Sequence, residues 1–228
     1  MINKRIILIG AGGHCASVLD SLITSYDYNS IGIVDKEYTK ESEKELLGVP
    51  IIGSDEDLPR LFESGYTEAF ITVGSIGDTG IRRLLYNKVK EIGFHISNIL
   101  DKTCIVSHWC TLGEGIYVGK NAVINTNAKI NNMAIINTSS TVEHDCNIGE
   151  FVHVSPGSVI CGGVVINRDT HIGAGSVIRQ GIHIGASSII GLSSVVVRDI
   201  PNEVTAFGNP CRVTGKAREF YDKENINS

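Results

Sequence analysis

The stretch "VEHDCNIGEFVHVSPGSVICGGVVINRDTHIGAGSVI", residues 142 to 178, decides the fold, because an aliphatic residue returns in it every six positions. The period continues on both sides without an insertion, so that seventeen consecutive hexads begin with an aliphatic residue. These heading residues are Leu100, Val106, Leu112, Val118, Ile124, Ile130, Ile136, Val142, Ile148, Val154, Ile160, Ile166, Ile172, Ile178, Ile184, Ile190 and Val196. Short strands with this period predict a parallel β-helix of triangular section, in which three hexads form one coil.

Two other positions of the hexad support this prediction. The residue two places before the heading residue is mostly small, and because strand side chains alternate between faces, both should point into a narrow interior. Three cysteines in this position, Cys104, Cys110 and Cys146, are therefore expected in the core. The residue after the heading residue is often Gly, Asn or Asp, which tolerate positive φ. This predicts that the chain turns a corner there.

The region before the repeat alternates strands with helices. "RIILIG", "SIGIVD" and "EAFITVGS" are typical of strands, whereas "CASVLDSLITSY" and "DTGIRRLLYNKVKEIG" are typical of helices. This order predicts a small parallel sheet of Rossmann type. We therefore expect an α/β domain at 1–97, a β-helix at 98–213 and a polar C-terminal tail at 214–228.

The glycine-rich turn after the first strand predicts a nucleotide site. Gly10, Gly12 and Gly13 do not complete a GxGxxG motif, because position 15 is Cys, and NAD is therefore not expected. The turn still presents backbone N–H groups at a helix N-terminus, where phosphate binds. Asp35, at the end of the second strand, is placed to accept hydrogen bonds from a ribose or a base.

Composition and charge exclude several classes of partner. A net charge of −5 and a pI near 5.8 give no basic surface for nucleic acid. The apolar run at the start ends at Gly10 and is too short for a membrane span, so we expect a cytoplasmic protein without a membrane segment. The six cysteines form no CxxC pair, so no metal site is expected.

Several motifs resemble one enzyme family. The hexads with "AFGNPCRV" at 206–213, the turn "GAGGH" at 10–14, and above all "NTSSTVEHDCNIGEFVHVSPG" at 137–157 resemble the hexapeptide-repeat sugar acetyltransferases. Within that family they are similar to the bacillosamine-type UDP-4-amino-sugar N-acetyltransferases and to the sialic acid O-acetyltransferase-like group. The resemblance implies a left-handed β-helix, acetyl-CoA as co-substrate and a homotrimer.

The resemblance also implies roles for individual residues. His144 would be the proton acceptor, Asp145 would raise its basicity, and His153 would contact acetyl-CoA. Ala174 and Leu192, one coil apart, would line the acetyl-CoA groove. Asn137 lies close enough in sequence to line the sugar site. The residues implied for the nucleotide sugar are Gly12, Gly13, His14, Asp35, Lys36 and Gly74. The histidines outside the matching motifs are expected on the surface or in packing; they are His95, His108, His171 and His183.

The chemistry of His144 fits this family. An amino sugar is mostly ammonium at neutral pH, so acyl transfer needs a group that removes a proton, and histidine suits that task. An adjacent carboxylate favours the tautomer that leaves an acceptor nitrogen, as in catalytic triads. The favoured function is N-acetylation of a UDP-4-amino-4,6-dideoxy sugar. The alternatives are O-acetylation of a sialic acid or related sugar, and a non-catalytic β-helix scaffold that binds a nucleotide sugar.

Overall fold

The computed structural model of the protein describes residues 4–39 and 44–217. The chain divides into two compact units. One contains the residues up to Ser75 together with Gly80–Lys102, and the other contains Ile76–Thr79 together with the residues from Thr103 onward. Residues 218–228 of the expected polar tail lie outside the described residues, and the division of the chain at residue 97 stays a prediction.

The first unit is built on a mainly parallel sheet. The strands of this sheet are β1 (Arg5–Ile9), β2 (Ser30–Val34), β3 (Glu45–Leu46), β4 (Val49–Gly53), β5 (Glu68–Ile71) and β6 (His95–Ile96), and the unit also contains β7 (Ile99–Leu100), which is not part of the sheet. Its helices are α1 (Gly13–Ser25), α2 (Leu58–Glu63) and α3 (Gly80–Ile92), and a 3₁₀ turn covers Asp55–Asp57. The sheet order is β3-β4-β2-β1-β5-β6, with only β3 antiparallel to its neighbour β4.

The predicted Rossmann-like sheet is confirmed by this arrangement. The central strand β1 is almost uniformly apolar because Ile6–Ile9 are buried. Two strands of this sheet were not predicted: β4 contains Pro50 and is only partly buried, and β6 has only two residues. Within the described residues, no helix is long and apolar enough to cross a membrane.

The second unit is a left-handed parallel β-helix, as predicted. Its two-residue strands each end at a heading residue of the hexad repeat. They are β8 (Ile105–Val106), β9 (Thr111–Leu112), β10 (Tyr117–Val118), β11 (Val123–Ile124), β12 (Lys129–Ile130), β13 (Ile135–Ile136), β14 (Thr141–Val142), β15 (Asn147–Ile148), β16 (His153–Val154), β17 (Val159–Ile160), β18 (Val165–Ile166), β19 (His171–Ile172), β20 (Val177–Ile178), β21 (His183–Ile184), β22 (Ile189–Ile190) and β23 (Val195–Val196). A hairpin of β24 (Val204–Gly208) and β25 (Cys211–Lys216) follows.

The strands form three parallel sheets, one on each side of the triangle. Their orders are β8-β11-β14-β17-β20-β23, β9-β12-β15-β18-β21 and β10-β13-β16-β19-β22-β24-β25, where only β25 is antiparallel to its neighbour. Tyr117 pairs with Ile135, and Ile135 pairs with His153. Each residue therefore lies beside the residue eighteen positions later, which confirms three hexads in a coil.

The predicted place of the corners was wrong. Positive φ occurs three residues after the heading residue, for example at Asn127, Asp145 and Gly163, and not directly after it. The glycines directly after the heading residue have another cause. A β-carbon at Gly173 would lie 2.5 Å from the backbone nitrogen of Leu192 in the next coil. Glycine is needed there because successive coils approach closely.

Candidate active site

His144 and Asp145 lie at a corner of the β-helix directly after β14. Asp145 has a φ of 59°, and the chain turns there toward β15. Nδ1 of His144 lies 2.8 Å from Oδ2 of Asp145. The two side chains are 51% and 57% exposed, so a ligand can reach the pair.

The hydrogen bonds of this pair define a tautomer. An ionised carboxylate only accepts hydrogen bonds, so Nδ1 of His144 carries the hydrogen and Nε2 is left as an acceptor. Asn127, one coil earlier, donates from Nδ2 to Oδ1 of Asp145 at 3.2 Å. The hydrogen bonds from His144 and Asn127 hold the pKa of the Asp145 carboxyl below its ordinary value. Asp145 therefore stays ionised at neutral pH and presents the acceptor form of His144.

Glu143 is also held by the preceding coil. Its Oε2 accepts a hydrogen bond from Nδ2 of Asn125 at 3.0 Å and one from the backbone N–H of His144 at 3.3 Å. From the sequence, Asn125 was expected only as a corner residue, and no role was expected for Glu143 or Asn127. The signal that could have found them is the eighteen-residue spacing, which places Asn125 beside Glu143 and Asn127 beside Asp145.

His153 lies in β16, on another side of the β-helix. Its Nε2 lies 3.2 Å from Nδ2 of Asn137. The backbone N–H of Thr138 donates to Oδ1 of Asn137 at 2.8 Å, which identifies the other end of this amide as the donor. Nε2 of His153 is therefore the acceptor, and the neutral ring carries its hydrogen on Nδ1. Asn137, expected near the sugar, thus contacts His153.

A largely apolar cavity of about 590 Å³ opens beside His153. The three residues expected to contact acetyl-CoA, His153, Ala174 and Leu192, all line it. Ala174 and Leu192 belong to successive coils, and the backbone N–H of Ser193 donates to the carbonyl of Ala174 at 2.8 Å. The structure therefore brings these three residues to one surface.

Among the other residues that line this cavity, His171 and Ile76 were not expected there. His171 was expected only on the surface or in packing; it is buried and packs edge to face against His153, and its Nε2 lies 3.3 Å from the hydroxyl of Ser155. The eighteen-residue spacing from His153 could have found it. Ile76 follows β5 and also lines the cavity. Nothing in the local sequence indicates that position.

His144 does not join His153 in one cavity of a single chain. The strand before His144, β14, and the strand of His153, β16, belong to different sheets. The residues that line the cavity include His153 but not His144. One chain thus presents the two histidines on different sides of the β-helix.

The expected nucleotide residues surround a separate cavity of about 330 Å³ in the first unit. It lies at the carboxyl ends of β1, β2 and β5, where parallel α/β sheets bind ligands. All six of these residues line it: Gly12, Gly13, His14, Asp35, Lys36 and Gly74. A second cavity of about 330 Å³ continues past Asp35 and Lys36 to Tyr38 and Lys44.

Local contacts explain two features of the nucleotide cavity. A β-carbon at Gly12 or Gly13 would meet nothing within 4 Å, and neither residue has positive φ, so packing does not require glycine there. Asp35 accepts hydrogen bonds from the backbone N–H groups of Ala11, at 2.7 Å, and Glu37, at 2.9 Å. Its carboxylate thereby ties the glycine-rich turn to the end of β2.

The cysteines differ in burial. Cys146 is buried, as expected, but Cys104 and Cys110 are only partly buried because they precede the edge strands β8 and β9. Burial raises the pKa of the Cys15 and Cys146 thiols to about 11. Among residues 4–39 and 44–217, no group of three or more His, Cys, Asp or Glu is arranged to hold a metal ion.

Comparisons with known proteins cover both units. Residues 5–89 match the PglD N-terminal domain. The structure is similar to that of perosamine N-acetyltransferase from Caulobacter crescentus, in a variant with one histidine replaced by asparagine, in complex with CoA and GDP-perosamine. The two chains are 35% identical, with a TM-score of 0.87 over 95% of this chain and 99% of that one.

Two further solved structures are similar. One is the acetyltransferase domain of PglB from Neisseria gonorrhoeae in complex with acetyl coenzyme A, with 29% identity and a TM-score of 0.85 over 93% of this chain and 100% of that one. The other is WeeI from Acinetobacter baumannii, with 22% identity and a TM-score of 0.77 over 92% of this chain and 100% of that one. At that identity, the likeness to WeeI concerns the fold alone.

Proposed function

Because this chain belongs to the hexapeptide-repeat sugar acetyltransferases of the bacillosamine type, we propose that it acetylates the amino group of a UDP-4-amino-4,6-dideoxy sugar, with His144 as the general base. The enzyme is an acetyl-CoA-dependent sugar N-acetyltransferase.

The observation that carries the base assignment is the 2.8 Å contact between Nδ1 of His144 and Oδ2 of Asp145. It leaves Nε2 of His144 to take a proton from the sugar amine as the nitrogen attacks the thioester carbonyl. A C–N bond forms, the C–S bond breaks, and CoA leaves as the thiol once it has received a proton. Asp145 stabilises the imidazolium that exists between these two proton transfers.

The cavity beside His153 suits the acyl-carrying arm of acetyl-CoA. Its lining is mainly apolar, and His153 adds one polar side chain to it. The small side chain of Ala174 leaves space in the cavity, and Leu192 provides an apolar contact one coil further along the β-helix. We therefore assign His153, Ala174 and Leu192 to acetyl-CoA binding.

The cavity at the carboxyl ends of β1, β2 and β5 suits the nucleotide of the acceptor. The N-terminus of a helix such as α1 favours a phosphate, and the glycines at 12 and 13 leave room for its approach. His14, Asp35, Lys36 and Gly74 line the same cavity. A GDP-linked amino sugar is the second candidate acceptor, because the relative with 35% identity is crystallised with GDP-perosamine.

We further propose that the enzyme is a homotrimer that works in the cytoplasm. His144 and His153 lie on different sides of one β-helix, so a neighbouring chain around a threefold axis would supply the second histidine to each site. Such a cyclic interface would create three equivalent sites. Light scattering tests the trimer through the molar mass of the enzyme. Fractionation of cells that produce the enzyme tests its cytoplasmic location.

A thiol-release assay tests the proposed reaction. The enzyme is incubated with acetyl-CoA and either UDP-, GDP- or CMP-linked sugars that carry an amine or only hydroxyl groups. Release of CoA only with UDP-linked 4-amino sugars supports the proposal. Release with GDP-linked amino sugars would instead identify guanine as the nucleobase of the acceptor. Release with hydroxy sugars such as a CMP-linked sialic acid would favour O-acetylation. No release with any acceptor would favour the non-catalytic scaffold.

A further inference from the structure

Gly162 lies directly against the ring of His144, one coil further along the β-helix. A β-carbon built on Gly162 would lie 2.5 Å from Nε2 and 2.6 Å from Cε1 of His144. Ordinary contacts between non-bonded heavy atoms are about 3.5–4 Å. The ring therefore occupies space that any other residue at position 162 would fill.

The β-helix itself does not require glycine at this position. Gly162 is the second residue after the heading residue Ile160, and in the other sixteen hexads this position carries a side chain. Its φ is not positive, unlike that of its neighbour Gly163, so the backbone accepts an ordinary residue. At position 162 the ring of His144 occupies the place where a side chain would begin.

We infer that Gly162 is a positioning residue for the reaction. Because it has no side chain, the ring of His144 can take the position in which its hydrogen bond to Asp145 orients Nε2. The inference rests on the proposed role of His144 as the base. The ring is held on its other edge by Asp145, through Nδ1. A side chain at 162 would push Nε2 away from the position that this hydrogen bond sets, while the surfaces that bind acetyl-CoA and the nucleotide would be unchanged.

The first test compares Gly162→Ala with Gln180→Ala, which changes the exposed residue of the same column one coil further. Gly162→Ala should lower kcat by about 10–100-fold, because a displacement of about 1 Å has this effect on a reacting group. Both KM values should change by less than about threefold, and Gln180→Ala should leave kcat within about twofold. A wild-type kcat in Gly162→Ala would overturn the inference. If His144→Ala also kept wild-type turnover, the proposed function would fail as well, so the two failures are distinguishable.

The second test does not depend on activity. In a double-mutant cycle, Gly162→Ala should lower the melting temperature by about 1–2 °C in the wild-type background, because the half-exposed ring of His144 must move and its hydrogen bond to Asp145 is disturbed. In the His144→Ala background it should lower it by less than about 1 °C, because the opposing ring is gone. Equal losses in both backgrounds would show a purely backbone effect and overturn the inference. If Gly162→Ala does not fold, folding of the double variant supports the inference, and failure of both overturns it.

Discussion

Nδ1 of His144 lies 2.8 Å from Oδ2 of Asp145, although adjacent residues of a strand point to opposite faces. The left-handed backbone of Asp145, with a φ of 59°, makes this contact possible because it turns the two side chains to the same corner. Aspartate is one of the few residues that adopt this conformation readily. The corner of the β-helix therefore creates the pair.

The first prediction concerns the base. His144→Ala should lower kcat by about 10²–10⁴-fold with an unchanged fold, because loss of a general base has this effect. Asp145→Asn should lower kcat less, since Nε2 of His144 remains present. Steady-state kinetics and circular dichroism of both variants test this. Near-normal turnover of His144→Ala at neutral pH would contradict the assignment.

The second prediction concerns pH and the buried thiols. Because burial raises the pKa of Cys15 and Cys146 to about 11, only about one thiol in a thousand is ionised at pH 8. Iodoacetamide should therefore leave both residues unmodified in the native enzyme at pH 8, and reaction should increase only as the pH approaches 11. Peptide mass spectrometry measures this, with the urea-unfolded enzyme as control. Rapid native labelling of Cys146 at pH 8 would disprove its burial.

The third prediction concerns the nucleotide cavity. Gly12→Val should raise KM for the nucleotide sugar by about tenfold or more, because a side chain there would occupy the space of a phosphate. The fold should tolerate the change, since a β-carbon at Gly12 meets nothing within 4 Å. KM for acetyl-CoA serves as the internal control. If only KM for acetyl-CoA changed, this cavity would have to be assigned to acetyl-CoA and not to the nucleotide sugar.

The fourth prediction concerns the acetyl-CoA surface. Ala174→Trp should raise KM for acetyl-CoA by about tenfold, because the indole would fill the cavity beside His153. Ala186→Trp is the matched control: Ala186 has the same place in its hexad but does not line this cavity. A change confined to KM for the acceptor would argue against acetyl-CoA in this groove.

The fifth prediction concerns the shared site. Mixing His144→Ala with His153→Ala under conditions that exchange subunits should restore part of the activity, because some interfaces would then be wild type on both sides. Each variant alone must be nearly inactive. Exchange is followed by mass spectrometry of differently tagged chains. Proven exchange without recovery, or an active monomer, would refute a site shared between subunits.

The β-helix and its eighteen-residue coil could be predicted from the repeat alone, whereas most of the residues expected at both cavities came from the resemblance to a known family. The repeat could be recognised because its period recurs seventeen times, and the heading residues from Val118 onward are all buried. The Rossmann-like strands β1, β2 and β5 were equally clear, since buried parallel strands are continuous apolar runs. A run of apolar residues that are consecutive in the sequence is enough to predict such a strand.

Only the tertiary structure decided which residues meet across coils and along loops. Asn127 holds Asp145, Asn137 holds His153, and Gly162 lies against His144 through stacking of one coil on the next. The corners lie two residues later than predicted. The glycine directly after the heading residue is explained by the close approach of successive coils and not by a turn. Contacts of this kind depend on how neighbouring coils approach, which the composition of a single hexad does not specify.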